Sequence, residues 1–292
     1  MITGANSAVG QNLIQYISQS PSIVPTRIRA VVRDVSQAAG LRPLAAEIIE
    51  VNFHDPDSLR EAVQGAEALV HLPGTLWPKT GESLWDANSQ PAIAVIEALK
   101  SDSLKSFVYI SHPGADQDSK NGFLQAKGIA EQAILGAGFP GSIFKVPMIL
   151  GKGNQTLEQI IQETKRPISP IIGGGSTKVQ PVSQTDIVAA IAWAITEPLA
   201  PMRTFYITGP ETITYADLLN RVARKLGKRP KILPIPKFMA RLAGWTLGAT
   251  NYSAAIGTNF TEHLDKRQEP RQQFPFTLAP VNETLDRIFP MS

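Results

Sequence analysis

The sequence predicts an α/β fold, a doubly wound parallel sheet followed by a smaller α/β lobe, and three observations carry that prediction. Short apolar segments alternate with helical patterns six times in the first 146 residues, the rhythm of a parallel sheet covered on both faces. A turn of small residues, Thr3-Gly4-Ala5-Asn6-Ser7-Ala8-Val9-Gly10, feeds directly into a helix marked by Leu13, Ile14 and Ile17. Beyond Gly151 the rhythm loosens and the glycine run Gly173-Gly174-Gly175 appears.

The elements follow in order. The turn at Gly4–Gly10 lets backbone N–H groups and the positive end of a helix approach a pyrophosphate without side chains intervening. Its glycine spacing is Gly4, Ser7, Gly10, with a hydroxymethyl group at the middle position where the usual fingerprint has nothing. Only Met1 and Ile2 precede Thr3, whereas a central strand needs about five residues. The expectation is therefore a truncated first strand or a start misplaced from its natural position.

Residues 27–33 and 47–53 read as the second and third strands. Asp55-Pro56-Asp57 caps a helix through Leu59, Ala62 and Val63 that ends at Gly65. Ala68–Leu72 is the fourth strand, closed by Pro73-Gly74, and residues 82–100 read as one long helix. Residues 106–112 form the fifth strand, 123–135 a helix and 142–146 the sixth strand.

The later part reads as a helix over 157–164, a strand over 179–182, a helix from Asp186 to Thr196, a strand over 203–208, and a helix from Thr214 to Leu226-Gly227. Pro230, Pro234 and Pro236 mark a break. An apolar helix around 238–247 and a loop over 263–273 complete the chain. The domains expected are 1–150, a dinucleotide-type sheet domain with a truncated first strand, and 151–292, a smaller, partly interwoven lobe facing a substrate or partner.

Composition narrows the chemistry. The 292 residues contain no cysteine, which excludes disulfides, thiolate metal sites and a cysteine nucleophile. Four histidines, far apart, argue against a metal centre. The net charge of +3 comes from scattered lysines and arginines, so no nucleic-acid partner is implied. No apolar run reaches the roughly 18 residues that span a bilayer and no signal segment opens the chain; a cytoplasmic protein without a transmembrane segment is expected.

Through TGANSAVG, AVVRD, VNFHDPDSL, ALVHLPG, the Asn88 helix, VYISHPGA, FLQAKGIAEQAI, KVPMILGKG, VQPVSQTDI and YITGPETITYADLL, the chain resembles the extended short-chain dehydrogenase/reductases. More narrowly it resembles their atypical members, the NmrA-like proteins and relatives of the dinucleotide-binding accessory subunit of respiratory complex I. The resemblance covers nearly the whole chain and implies a Rossmann-type fold.

The resemblance also implies cofactor contacts. Gly4, Asn6, Ser7, Ala8, Val9 and Gly10 would hold the pyrophosphate. Arg33, closing the second strand, would meet the 2′-phosphate of NADP with a forked guanidinium; the alternatives are an Arg33–Asp34 surface pair or an Asp34 that takes a ribose hydroxyl and selects NAD. Asn52 and Phe53 lie near the adenine position, with a strand-end turn as the alternative for Asn52. Gly74 would pass close to the adenosine ribose, or serve as a plain loop glycine.

In catalytic members a Ser polarises the carbonyl, a Tyr donates the proton, and a Lys lowers the Tyr pKa and holds the nicotinamide ribose. Ser111 and Lys127 stand at their places, but the Tyr position is Phe123. His112 and Tyr109 are the replacement donors within reach, against a turn role for the first and a core role for the second. Asn88 matches the family's structural Asn, Lys145 replaces its usual arginine, and Asp186 reads as an N-cap. Trp77, Trp85, Trp193 and Trp245 read as core or pocket wall. The implied function is NADP(H) binding, with NAD(H) second. It comes either with NADPH-dependent oxidoreductase or isomerase chemistry on a small carbonyl substrate, or as a non-catalytic sensor or assembly subunit with a protein partner.

Overall fold

Val31-Val32, Leu69-Val70 and residues 107–110 are near-continuous apolar runs of the kind that strands buried on both faces require. In the computed structural model, which describes residues 1–20, 23, 27–44, 46–99, 104–172, 175–197, 199–235 and 274–290, they lie in one seven-stranded sheet. Its strands are β1 (Ile2–Thr3), β2 (Arg29–Val32), β3 (Glu47–Glu50), β4 (Ala68–His71), β5 (Ser106–Ser111), β6 (Gly141–Lys145) and β11 (Arg203–Tyr206). The order across the sheet is β11-β6-β5-β4-β1-β2-β3, and every pairing is parallel. The fold class expected from sequence is the one observed.

β1 is two residues long yet pairs on both sides, Ile2 with Ala30 and Val70, Thr3 with Val31 and His71. Beyond the strand, Val70 donates to the Met1 carbonyl at 3.0 Å and Leu72 to that of Thr3 at 3.2 Å. A central strand this short still joins its two neighbours because its paired backbone groups serve both ladders.

Between β1 and β6 the helices are α1 (Ala8–Gln19), α2 (Pro56–Val63), α3 (Leu84–Asn88), α4 (Gln90–Ala98) and α5 (Gly122–Gly136). Leu13, Ile14 and Ile17 of α1 are buried. Leu59, Val63, Ala92, Val95, Ala130 and Ile134 meet Val31, Leu69, Phe107 and Ile143 of the sheet in one core. The single helix expected over 82–100 is two helices. A capping box between Ser83 and Asp86 starts α3, and Pro91, which has no N–H to continue a helix, sits in the first turn of α4.

Two compact units divide the chain: Met1–Lys145 with Ile187–Tyr206, and Val146–Asp186 with Ile207–Ser292. Among the described residues, the second contains three two-stranded sheets, β7 (Ile149–Leu150) with β10 (Val182–Ser183), β9 (Lys178–Val179) with β12 (Ile213–Thr214), and β8 (Ile168–Ile172) with β13 (Lys231–Ile235). Its core joins Leu157 and Ile160 of α6 (Gln155–Thr164), Leu218 and Val222 of α8 (Tyr215–Lys225), and Val281 and Leu285 of α9 (Val281–Ile288).

Three expectations need correction here. The strand over 179–182 resolves into β9 and β10. The proline break at 230–234 contains β13, whose Pro234 is tolerated because this two-stranded sheet leaves each strand an edge with no ladder to serve. Asp186 is not an N-cap: it lies in the first turn of α7 (Gln184–Thr196) and its carboxylate accepts from the Ala279 N–H at 2.7 Å. The expected helix over 238–247, the loop over 263–273, Trp245, Pro236 and Gly173-Gly174 lie outside the described residues. Among the described residues no helix is long and apolar enough to cross a membrane.

Candidate functional site

The carboxyl ends of β1, β2, β4, β5 and β6 share one rim of the parallel sheet, and the singled-out residues of the first unit collect there. β1 runs straight into the turn. Gly4 has φ +67, a left-handed conformation that glycine adopts without a Cβ penalty. A Cβ on Gly10 would lie 2.6 Å from the Ala5 carbonyl oxygen, so only glycine lets the helix start this close to the turn. Ser7 is the N-cap of α1, its hydroxyl accepting from the Gly10 N–H at 3.1 Å. The hydroxymethyl at the middle position thus does capping work. No acidic residue occupies the first turn of α1, which leaves the positive end of the helix uncompensated.

Lys127 projects from α5 to the ends of β4 and β5. Its ammonium donates to the Ile110 carbonyl at 3.0 Å and the Pro73 carbonyl at 3.5 Å, and it lies 4.8 Å from the Tyr109 ring centroid. Burial brings its pKa down to about 8, against the opposing pull of the Glu131 charge. Gly74, at φ +145, faces this group; a Cβ there would sit 2.5 Å from Nζ and 2.9 Å from Asn88 Oδ1. Asn88 is fully buried and ties the loop down, accepting from the Thr75 N–H at 2.9 Å and donating to the Thr75 and Leu84 carbonyls at 3.0 and 2.9 Å.

Ser111 ends β5 but its hydroxyl donates to Oε1 of Glu131, whose Oε2 pairs with Lys145 Nζ at 2.9 Å. Both ionic side chains are about nine-tenths buried. Burial raises the Glu131 pKa; Lys145, the Ser111 hydrogen bond and Lys127 oppose that rise. Glu131 was not singled out from sequence, although its signal was present: it stands one helical turn after Lys127, on the same face of α5.

Phe123 lies in the first turn of α5, which Asn121 caps, with its ring edge-on to His112 at 5.7 Å. No hydroxyl stands at this position. Of the proposed replacements, Tyr109 is fully buried within the sheet core, and burial raises its pKa well above the ordinary value; it is a core residue. His112 is also buried, and its Nδ1 accepts from the Gly114 N–H at 3.3 Å. Beneath them His71 Nδ1 is 2.9 Å from Thr3 Oγ1, and burial, reinforced by the Lys127 charge, lowers its pKa to about 3.

Along β2 and β3 the side chains serve different ends. Arg33 forms an ion pair with Glu82. Asp34 caps its own 3₁₀ turn, accepting from the Ser36 N–H and hydroxyl and from the Gln37 amide, so the Arg33–Asp34 alternative is replaced by Arg33–Glu82. Asn52 accepts from the His54 N–H at 3.0 Å, a turn role. Phe53 is buried in the core, edge-on to His71 at 6.5 Å. Trp85 is 43% exposed, while Trp193 packs edge-on against Phe205 at 5.9 Å.

A glycine turn opening a helix at the carboxyl edge of a doubly wound sheet, with a lysine on the opposing helix, defines a dinucleotide-binding domain. Residues 4–139 match the family model described as NAD(P)H-binding, and that part of the chain is an NAD(P)H-binding domain. It is 26% identical over 241 residues to the mitochondrial NADH dehydrogenase (ubiquinone) 1 alpha subcomplex subunit 9 of Arabidopsis thaliana, covering 80% of this chain and 60% of that protein. It is 23% identical over 269 residues to the ceramide reductase of Caulobacter vibrioides, covering 92% and 82%. Among solved structures, the Citrobacter sp. triphenylmethane reductase complexed with NADP(H) shares the fold at 21% identity and a TM-score of 0.72, over 98% of this chain and 99% of that one.

Proposed function

We propose that this chain binds NADP(H) along the carboxyl rim of its sheet and serves as a reductase of small carbonyl compounds. The observation that carries the proposal is the convergence on that rim of the Gly4–Gly10 turn, the side-chain gap at Gly74 and the buried Lys127 ammonium. The turn and the start of α1 would take the pyrophosphate, and Lys127, with two of its three donors on backbone carbonyls, would offer the third to a ribose hydroxyl. Arg33 would take the 2′-phosphate. Asp34 is engaged in its own turn, which supports NADP over NAD. The bound reduced nicotinamide supplies a hydride; the protein has to place the carbonyl and deliver a proton.

Phe123 favours a second reading. Without a phenol there, proton delivery of the kind worth about 100-fold to 10,000-fold is missing, and Ser111 already donates to Glu131. The second reading is a protein that holds the dinucleotide without turning it over, as a sensor or as part of an assembly. The relatives span both classes by name, one a reductase and one a respiratory-complex subunit.

The test is a fluorescence titration with NADPH and NADH, followed by turnover of wild type and Phe123→Tyr with a panel of carbonyl compounds. Binding with wild-type turnover supports the reductase and directs attention to His112 as proton donor. Binding with turnover only in Phe123→Tyr supports the non-catalytic holder. Binding of neither dinucleotide overturns both.

A further inference from the structure

We infer that Glu82 sets the dinucleotide selectivity of this site by competing for Arg33, an inference that rests on the dinucleotide reading above. β1 opens the phosphate turn and β2 pairs beside it, Thr3 against Val31, so Arg33, two residues beyond Val31, stands where the adenosine ribose of a dinucleotide seated on that turn would come. Its guanidinium is not waiting for a phosphate. It is paired with Oε1 of Glu82, in the loop between β4 and α3.

Glu82 is held in place for this. Its N–H donates to the Lys79 carbonyl at 2.9 Å, closing a turn in which Gly81 has φ +85, the arrangement that calls for glycine at the third position. Its other carboxylate oxygen, Oε2, accepts from the Lys79 N–H at 3.1 Å. The Glu82 side chain is 15% exposed and that of Arg33 51%. The carboxylate is thus fixed by its own turn, and the arginine is the partner free to move. Asp34 offers no alternative, since its oxygens serve Ser36 and Gln37.

Two consequences follow for a ligand. A 2′-phosphate has to break the Arg33–Glu82 pair and then sit near an anchored carboxylate, which weakens NADP(H). A ribose with a free 2′-hydroxyl finds that carboxylate as an acceptor and leaves the ion pair intact, which favours NAD(H). The arginine and the glutamate therefore pull selectivity in opposite directions, and the chain accepts both dinucleotides with a preference smaller than Arg33 alone would give.

The test is the ratio of NADPH to NADH affinity, read by fluorescence titration in wild type, E82Q, R33A and R33A/E82Q. Glutamine keeps the shape and removes the charge, so E82Q is expected to raise the ratio about tenfold, the size of one charged hydrogen bond regained by phosphate. R33A lowers the ratio, and in the R33A background the glutamine substitution gains nothing for NADPH, because the competition has lost its object. If wild type binds both dinucleotides and E82Q moves the ratio by less than about twofold, or moves it equally with and without Arg33, the inference falls while the dinucleotide reading stands. If wild type binds neither, both fall together.

Discussion

Lys145→Met is expected to unfold this protein more readily, and to do so in a pH-dependent way that identifies Glu131 as the cause. Lys145 and Glu131 are 2.9 Å apart and nearly enclosed; at an effective dielectric constant of about 20 that separation corresponds to roughly 6 kcal/mol of attraction. Removing one partner of a buried pair leaves the other uncompensated, at a cost of about 3–5 kcal/mol. Lys127 still attracts Glu131 and Ser111 still donates to it, which places the loss near the lower end, about 3 kcal/mol at pH 8. Burial already raises the Glu131 pKa above its unfolded value. Stability contributed by such a group is complete below the unfolded pKa, and it is lost as pH rises through the folded one. Without Lys145 the folded value climbs further, so the deficit relative to wild type is largest at pH 8 and shrinks toward pH 5 as Glu131 takes up its proton. Urea denaturation followed by far-ultraviolet circular dichroism at the two pH values measures it. A deficit that does not change with pH, or a Lys145→Met/Glu131→Gln double variant no more stable at pH 8 than Lys145→Met alone, would refute the account.

Three further outcomes are expected. Because burial lowers the Lys127 pKa to about 8, its ammonium is present below that pH and lost above it; NADPH affinity should fall by about tenfold between pH 7 and pH 9.5 in wild type and stay flat in Lys127→Met, read by fluorescence titration. His71, lowered to about 3 by burial, takes up a proton in the unfolded chain before the folded one, so acidification from pH 6.5 to pH 4 should cost about 3 kcal/mol. His71→Gln should lose that component of the acid sensitivity in urea titrations at the two pH values. Gly10→Ala drives a methyl group to 2.6 Å from the Ala5 carbonyl oxygen; the turn must shift, and binding of either dinucleotide should weaken by at least about tenfold in the same titration.

What was legible in the sequence was the part governed by local pattern. The apolar runs of β2, β4 and β5 and the small-residue turn give the sheet and its rim from composition and spacing alone, and Ser7 reads as a weakened glycine until its hydroxyl is seen capping α1. What escaped depended on partners distant in the chain. β7 and β12 are two residues each, and the one strand expected over 179–182 is the separate two-residue β9 and β10; strands this short show no period and exist because another segment pairs with them. β13 carries a proline and looked like a break; only its parallel register with β8 makes it a strand. Glu82 carries no motif of its own, and Glu131 only its place one helical turn after Lys127. One is placed by a turn built on Gly81 and the other by burial beside Lys145, so their roles follow from tertiary contacts with Arg33 and Ser111.

The contacts of Lys127 separate two capacities, holding a dinucleotide and delivering a proton. Lys127 is held by the Ile110 and Pro73 carbonyls and the Tyr109 ring, none of which involves residue 123. Replacing a phenol there by phenylalanine therefore leaves the ammonium in place, and Gly74 and Asn88 keep the space before it open. Proton delivery is less secure. Ser111 donates its hydrogen bond to a glutamate whose charge Lys145 sustains, Tyr109 is sealed in the core, and His112 is the donor left to test. The grip on a dinucleotide can persist in this arrangement while acid catalysis is absent, and restoring one hydroxyl at position 123 tests chemistry without disturbing the grip.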